Sequence, residues 1–229
     1  MKILCCDTSN RTCCAGIFDD GKELAYEISM EKKTHSETFM PLVMRVFGQC
    51  GLNPVDMDAL AVTTGPGSFT GIRIGLSAVK GMALAAGLNV IPVSSLKALA
   101  MSVENVAADP AETIIVPCFD ARNDRVFAAA FDDATGEALI EDGAYFNQDF
   151  TDLLKAVPGA DTKQILVVGD GADTVRKALF FTHRVQYAPG AVILPKGISA
   201  AASGVEAVNG AAVKASYCAV SRAERYHNE

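Results

Sequence analysis

The sequence predicts an α/β protein made of two similar lobes in tandem. Three observations carry that prediction. Short apolar runs with strand character alternate with helical patterns along the chain. The order strand, strand, strand, helix, strand, helix occurs twice, from residue 2 and again from residue 113. Each copy places an Asp directly after its first strand (Asp7 and Asp120) and a Gly-x-Gly turn before its last helix (Gly65-Pro-Gly67 and Gly169-Asp-Gly171).

In the first copy, residues 2–6, 12–18 and 22–29 read as strands, with Asp19-Asp20-Gly21 as a turn. Thr34-His-Ser-Glu37 has the form of a capping box and opens a helix to about Cys50, ended by Gly51 and Pro54. Pro41 inside that pattern predicts a kink or an irregular first turn. A strand at 59–64 leads through the glycine-rich turn into a helix to about Ala86, with Gly87 as its C-cap, and a further helix covers 94–104. In the second copy, strands at 113–119, 124–131 and 137–146 precede a helix at 148–157, a strand at 164–168 and a helix at 172–181. Three antiparallel strands followed by alternating helices and strands is the plan of a ribonuclease H-like unit. Two such units in tandem give the actin-like ATPase (ASKHA) architecture, a likeness of fold that does not fix function. The lobes are expected at 1–105 and 106–212, with 213–229 a C-terminal tail packing back on the first lobe.

Composition narrows the function classes. The chain has 229 residues, enough to bury a sizeable core, and a net charge of −7 from 20 basic and 27 acidic residues. An acidic chain is a poor solo binder of nucleic acid, because phosphate contacts need clustered Lys and Arg. No run of about 18 apolar residues stands out, so no membrane span is expected. Asp7 arrives too early for a signal-peptide core, so a cytoplasmic chain is expected. The seven cysteines then read as thiols. Neighbours Cys5 and Cys6, and Cys13 and Cys14, face opposite ways on a strand and do not converge on one ion.

Two early helices are unusually apolar. At 100° per residue, Phe39, Met40, Leu42, Val43, Met44, Val46, Phe47 and Cys50 fall in one arc about 200° wide, against the ~100° that resting on a sheet requires. The helix after the glycine turn gathers Ile72, Leu76 and Val79 on one side. Gly71, Gly75, Ala78, Gly81, Ala85 and Ala86 gather on another. Each interior glycine costs about 1 kcal/mol against alanine, so something must offset it. With two buried faces per helix, the second needs cover: a protein partner is the favoured reading, and the second lobe or the 94–104 helix is the alternative.

Catalytic groups are scarce. The three histidines, His35, His183 and His227, show no i, i+4 pair for zinc. Gly67-Ser-Phe-Thr-Gly71 has its Ser in the wrong place for a nucleophile elbow. The segment Gly65-Pro-Gly-Ser-Phe-Thr-Gly-Ile-Arg-Ile-Gly75 has three readings: a phosphate loop, a tight turn capped by Ser68 or Thr70, or the launch of an interface helix whose backbone packs on other backbone. Asp7-Thr8-Ser9 and Asp120-Ala121-Arg122 stand where actin-like ATPases place their phosphate hairpins. Those hairpins carry Gly two residues after the Asp. Ser9 and Arg122 replace it here, which argues for a vestigial nucleotide site at Asp7, Thr8, Ser9, Asp120 and Arg122. An ion pair between Asp120 and Arg122 is the simplest alternative role.

Asp7-Thr-Ser9, Thr34-His-Ser-Glu37 with Met40-Pro41, the eleven-residue glycine segment, Pro92-Val-Ser-Ser95 and Asp120-Ala-Arg122 together resemble the TsaB (YeaZ) family. The likeness is dense over 1–125 and thin afterwards. The family's Pro-x-Tyr-Leu-Arg stretch near the end is Ala215-Ser-Tyr217-Cys-Ala219 here. The resemblance implies a two-lobed actin-like fold with a degenerate active site: no catalytic residue, no metal and no cofactor in this chain. It implies a scaffold for making threonylcarbamoyladenosine in tRNAs reading ANN codons. The paralogue TsaD holds a metal on a histidine pair and transfers the threonylcarbamoyl group to N6 of the adenosine beside the anticodon. The scaffold dimerises with TsaD through first-lobe helices and activates it. TsaE, an ATPase, joins the pair, tRNA is met only through the complex, and the scaffold alone forms a homodimer. On the apolar helix faces the interface is then expected at His35, Phe39, Met40, Val43, Phe47, Gly71, Ile72, Gly75, Ala78 and Met82.

Overall fold

A computed structural model describes residues 1–30, 34–103 and 109–218. The chain forms β1 (Lys2–Asp7), β2 (Cys13–Asp19), β3 (Lys22–Ser29), α1 (His35–Cys50), β4 (Ala59–Gly65), α2 (Phe69–Ala86), β5 (Asn89–Ser94) and α3 (Ser95–Ser102). It continues with β6 (Thr113–Arg122), β7 (Arg125–Asp132), β8 (Ala138–Phe146), α4 (Asn147–Ala156), β9 (Gln164–Val168), α5 (Ala172–Arg176), β10 (Val185–Ala188), α6 (Pro195–Ala202) and β11 (Val208–Asn209). Beyond the expected elements the first half gains β5, with α3 standing where the 94–104 helix is expected, and the second gains β10, α6 and β11.

Residues 1–102 and 193–217 form one compact unit, and 103–192 with Cys218 belong to the other. The boundary expected at 212 is thereby corrected. The reason is α6. Its stripe Ile198, Ala201 and Ala202 is buried, and the helix packs on α3 and on the first sheet. A side chain at Gly197 would strike the Ala98 carbonyl and Ser102, so glycine sets the closeness of α3 and α6. Ser102 Oγ donates to Ala98 O at 2.6 Å and accepts from Leu194 N at 2.8 Å. Residues 219–229, which include His227 and the end of the expected tail, lie outside the described residues.

The first unit's sheet has the order β11-β5-β4-β1-β2-β3. β1, β2 and β3 pair antiparallel, while β4 and β5 run parallel to β1 and to each other. The second unit repeats the plan as β10-β9-β6-β7-β8. Both are ribonuclease H-like sheets. Strand alternation divides the first unit's thiols as expected: Cys6 and Cys13 enter the core under α1 and α2. Cys5 meets Ser199 of α6, and Cys14 lies 3.6 Å from the Ile193 carbonyl.

α1 starts at Thr34, whose carbonyl accepts from Glu37 N and Thr38 N. The expected capping box does not form, because Thr34 Oγ1 pairs with Ser36 Oγ at 3.0 Å instead. A reciprocal cap occurs at Asn53–Asp56, where Asn53 N donates to Asp56 Oδ2 at 2.7 Å. The helix runs through Pro41 and ends at Gly51, whose φ of 64° is left-handed. Its buried stripe is Phe39, Leu42, Val43, Val46 and Phe47. In α2 the stripe is Ile72, Leu76, Val79 and Ala83, joined by Gly71 and Gly75. Each large side chain in these stripes contributes about 1.5–3 kcal/mol of burial.

α2 is 18 residues long with mean hydropathy 1.2, apolar enough by length and composition to cross a membrane. Its stripe lies in the core against β4, β1 and β5, as a helix resting on its own sheet does. α5 stops at Arg176 rather than 181. The apolar period continues because Leu179 is buried beyond the helix end, as the chain turns to pair β10 with β9.

Val43→Glu puts a carboxylate inside this core. The expected result is a loss of about 4 kcal/mol or more in the first unit, read by chemical denaturation.

Candidate functional site

The glycine segment is built around the turn that follows β1. Ser68 N donates to Ser9 O at 2.7 Å, and Thr8 Oγ1 donates to Gly71 O at 2.7 Å. Ser68 also caps α2, its hydroxyl accepting from Gly71 N at 3.2 Å. Side chains at Gly67 and Gly71 would collide with the carbonyls of Ser9 and Thr8, and one at Gly75 with the Thr8 hydroxyl. At Gly65 the obstacle is the Ser216 carbonyl. Gly65 and Gly67 also have φ of 117° and 152°, a region that side chains rarely adopt. Three carbonyl oxygens therefore press on this segment. A phosphate needs amide donors at such a place, so the phosphate reading has no support here. The backbone-on-backbone reading fits.

Asp7 sits at the centre of that turn and is fully buried. Its Oδ1 accepts from Thr63 Oγ1 at 2.5 Å, Ser9 Oγ at 2.6 Å and Ser9 N at 2.9 Å. Its Oδ2 has no partner among the described residues. Burial raises its pKa above the ordinary carboxylate value, opposed by the hydrogen bonds from Ser9 and Thr63. The Cys13 thiol, close by, is pushed up to about 12, first by burial and then by the Asp7 charge. Such thiols are packing groups, without thiolate character at neutral pH.

The second unit repeats the motif at its surface. Arg122 N donates to Asp120 Oδ1 at 2.8 Å, as Ser9 N does to Asp7. The expected ion pair of Asp120 and Arg122 is not among the described contacts; the link is through the Arg122 backbone. Arg122, Asn123 and Asp124 have φ of 63°, 52° and 58°, so the β6–β7 turn itself holds the Arg122 position left-handed. Gly171 packs on the backbone of Phe119 and Asp120, and Asp120 N donates to Asp170 Oδ1 at 3.1 Å.

The ten expected interface residues separate into two sets. Phe39, Val43, Phe47, Gly71, Ile72 and Gly75 are buried within the first unit, so they do not offer a surface to a partner. This corrects the expectation. Sequence periodicity marks the whole apolar arc, whereas the sheet takes only its inner part. Met40 is 38% exposed, and His35, Ala78 and Met82 are half-buried. His35 Nε2 lies 2.7 Å from the Asn10 carbonyl. The same outer faces carry Met44, 70% exposed, and Leu84, 86% exposed. Gly48 and Gly81 have open space where a Cβ would stand. Met44 belongs to the apolar arc read from the sequence, so a signal for it existed.

Part of α2's outer face is covered by the chain itself. Ser216 N donates to Thr64 O at 2.7 Å, and Lys80 Nζ to Val213 O at 2.6 Å. Tyr217 stacks on Phe69 with ring centroids 4.4 Å apart and accepts from Arg73 Nε at 3.0 Å. The Arg73 guanidinium lies 3.7 Å over the Phe69 ring. Arg73 and Lys80 are the long cations on an otherwise apolar helix, and that was the sequence signal for this contact.

The family model for "TsaD: tRNA N6-adenosine threonylcarbamoyltransferase" matches residues 29–219. The chain belongs to the TsaD family. Within it, the chain resembles TsaB proteins. It is 32% identical to the "tRNA threonylcarbamoyladenosine biosynthesis protein TsaB" of Bacillus subtilis, over 68% of this chain and 66% of that one. It is 34% identical to the protein of the same name from Escherichia coli, over 57% and 55%. The matches thus span about half to two-thirds of these relatives' own length. YeaZ from Pseudomonas aeruginosa superposes with a TM-score of 0.80 at 24% identity, covering 94% of this chain and 99% of that one. At that identity the likeness is one of fold.

Two outcomes test the turn. Gly71→Ala drives a methyl into the Thr8 carbonyl and is expected to cost about 1–3 kcal/mol in chemical denaturation. Asp7 binds its proton more tightly folded than unfolded, so its contribution to stability is largest at low pH. That contribution is lost as pH rises from the ordinary carboxylate value of about 3.9 towards the raised one. Asp7→Asn is expected to remove that fall. The measurement is the stability difference between wild type and variant as pH is raised from about 4, which should move in favour of the variant.

Proposed function

We propose that this chain is a non-catalytic subunit of the machinery that makes threonylcarbamoyladenosine in tRNA, binding and activating a TsaD protein. The observation that carries the reading is the exposed apolar face of α1 and α2. Met40, Met44 and Gly48 recur at helical spacing on α1 and are exposed, as are Gly81 and Ala85 on α2, with Ala78 half-buried beside them. Small residues let a partner helix approach closely, and exposed methionines adapt to its shape. Family membership supports TsaD as that partner. TsaE then joins the pair, tRNA meets the complex, and without TsaD a second copy takes the same face. The three histidines at 35, 183 and 227 give no paired metal ligands in sequence, which supports the non-catalytic role. The cytoplasm is the compartment where such a complex works.

Gly81→Arg separates interface from stability. Replacing an exposed helical glycine raises helix propensity by about 1 kcal/mol, while the long side chain blocks approach. Unchanged or raised thermal stability with at least tenfold weaker binding to TsaD from the same source is the expected result. Met44→Glu is expected to behave alike. If both variants fold and bind TsaD as wild type does, this face is not the interface.

A further inference from the structure

Along the outer side of α2 runs a groove of about 420 Å³ whose far wall is the segment Val213–Tyr217. Arg73, Lys80 and Lys214 line it, together with Leu76, Val213 and Ala215. Among the described residues no carboxylate lines it. A neighbouring groove, sharing Lys80, continues past Leu84 and Leu88, again without a carboxylate. This cationic strip stands out on a chain with net charge −7.

Its cations are unequally committed. Arg73 is held by Tyr217 and Phe69, and Lys80 by the Val213 carbonyl. Both charges are thereby fixed at the groove, with most of their donors unspent: Arg has five and Lys three. Lys214 is exposed at the rim. Preorganised cations beside apolar side chains fit carboxylates carried on an amphipathic protein segment. A folded polynucleotide calls for a broader basic surface with aromatic faces open to stack on, and here Phe69 and Tyr217 stack on each other.

We propose that this groove receives an acidic segment of the protein partner that sits on α1 and α2, so that Arg73, Lys80 and Lys214 set its register. The proposal rests on the reading of those helices as a TsaD-binding face. The groove's charge favours an acidic segment, and its α2 residues Ser77 and Lys80 directly precede Ala78 and Gly81 of the stripe, so a single partner reaches both.

The test is calorimetric titration with TsaD from the same source at low and high salt, using wild type, Lys214→Glu, Lys80→Gln and Met44→Glu. Lys80→Gln keeps a donor for the Val213 carbonyl and removes the charge. Lys214→Glu is expected to weaken binding about three- to tenfold at low salt and to flatten its salt dependence, with an unchanged thermal midpoint. Lys80→Gln should act in the same direction. If Met44→Glu abolishes binding while both lysine variants bind as wild type at either salt, the interface reading stands and the acidic-segment proposal falls. If wild type itself does not bind TsaD, the reading falls and the proposal with it. If Lys214→Glu weakens binding of purified tRNA and leaves TsaD binding unchanged, the groove serves RNA and the proposal is overturned.

Discussion

The first lobe depends on a contact that side chains would forbid: carbonyl oxygens pressed against α-carbons. The Thr8 carbonyl meets Gly71, the Ser9 carbonyl meets Gly67 and the Ser216 carbonyl meets Gly65. These contacts join the β1–β2 turn, the start of α2 and the returning segment at 213–217. Because the three pieces approach this closely, Asp7 is cut off from water and must be served from within by Ser9 and Thr63. The direction in which α2 leaves the sheet follows from the same packing, and with it the face that α2 turns outward.

The second lobe shows what changes when that packing is relaxed. Both lobes carry, at or near the end of their first strand, an Asp that accepts from the amide two residues on, and both dock a glycine turn beside it. The middle residue of the turn differs. Asp170 supplies a carboxylate to the Asp120 amide, whereas the equivalent place in the first lobe is Pro66, which carries no polar side chain. The second hairpin is accordingly polar and exposed, and the first is dry. One topology thus supports two electrostatic environments, set by single residues rather than by fold.

The local elements were legible because their signals are local. Short apolar runs mark β1 to β4 and β6 to β9. Gly51 and Gly87 mark helix ends through left-handed φ, and Ser68 marks a helix start. What escaped depends on distant partners. α6 joins the first lobe because Gly197 fits against α3, a relation between residues nearly a hundred positions apart in sequence. α5 ends early because β10 must reach β9. At the candidate interface the difficulty was one of width. Phe39 and Met40 are adjacent and equally apolar, yet one is in the core and the other on the surface. A hydrophobic arc reports the sum of inner and outer faces, and only the packing of the helix on the sheet divides it.

The glycines of the two helices sharpen that division. Gly71 and Gly75 touch Thr8, so their conformational cost is offset inside the lobe. Gly48 and Gly81 touch nothing in the space a Cβ would fill. Each costs about 1 kcal/mol against alanine, and no internal contact offsets it. A glycine kept where any side chain would fit, beside exposed Met44 and half-buried Met82, is the feature on which the proposed interface rests. The sequence displays all four glycines alike. Only the space around each α-carbon separates those packed inside the lobe from those that face open space.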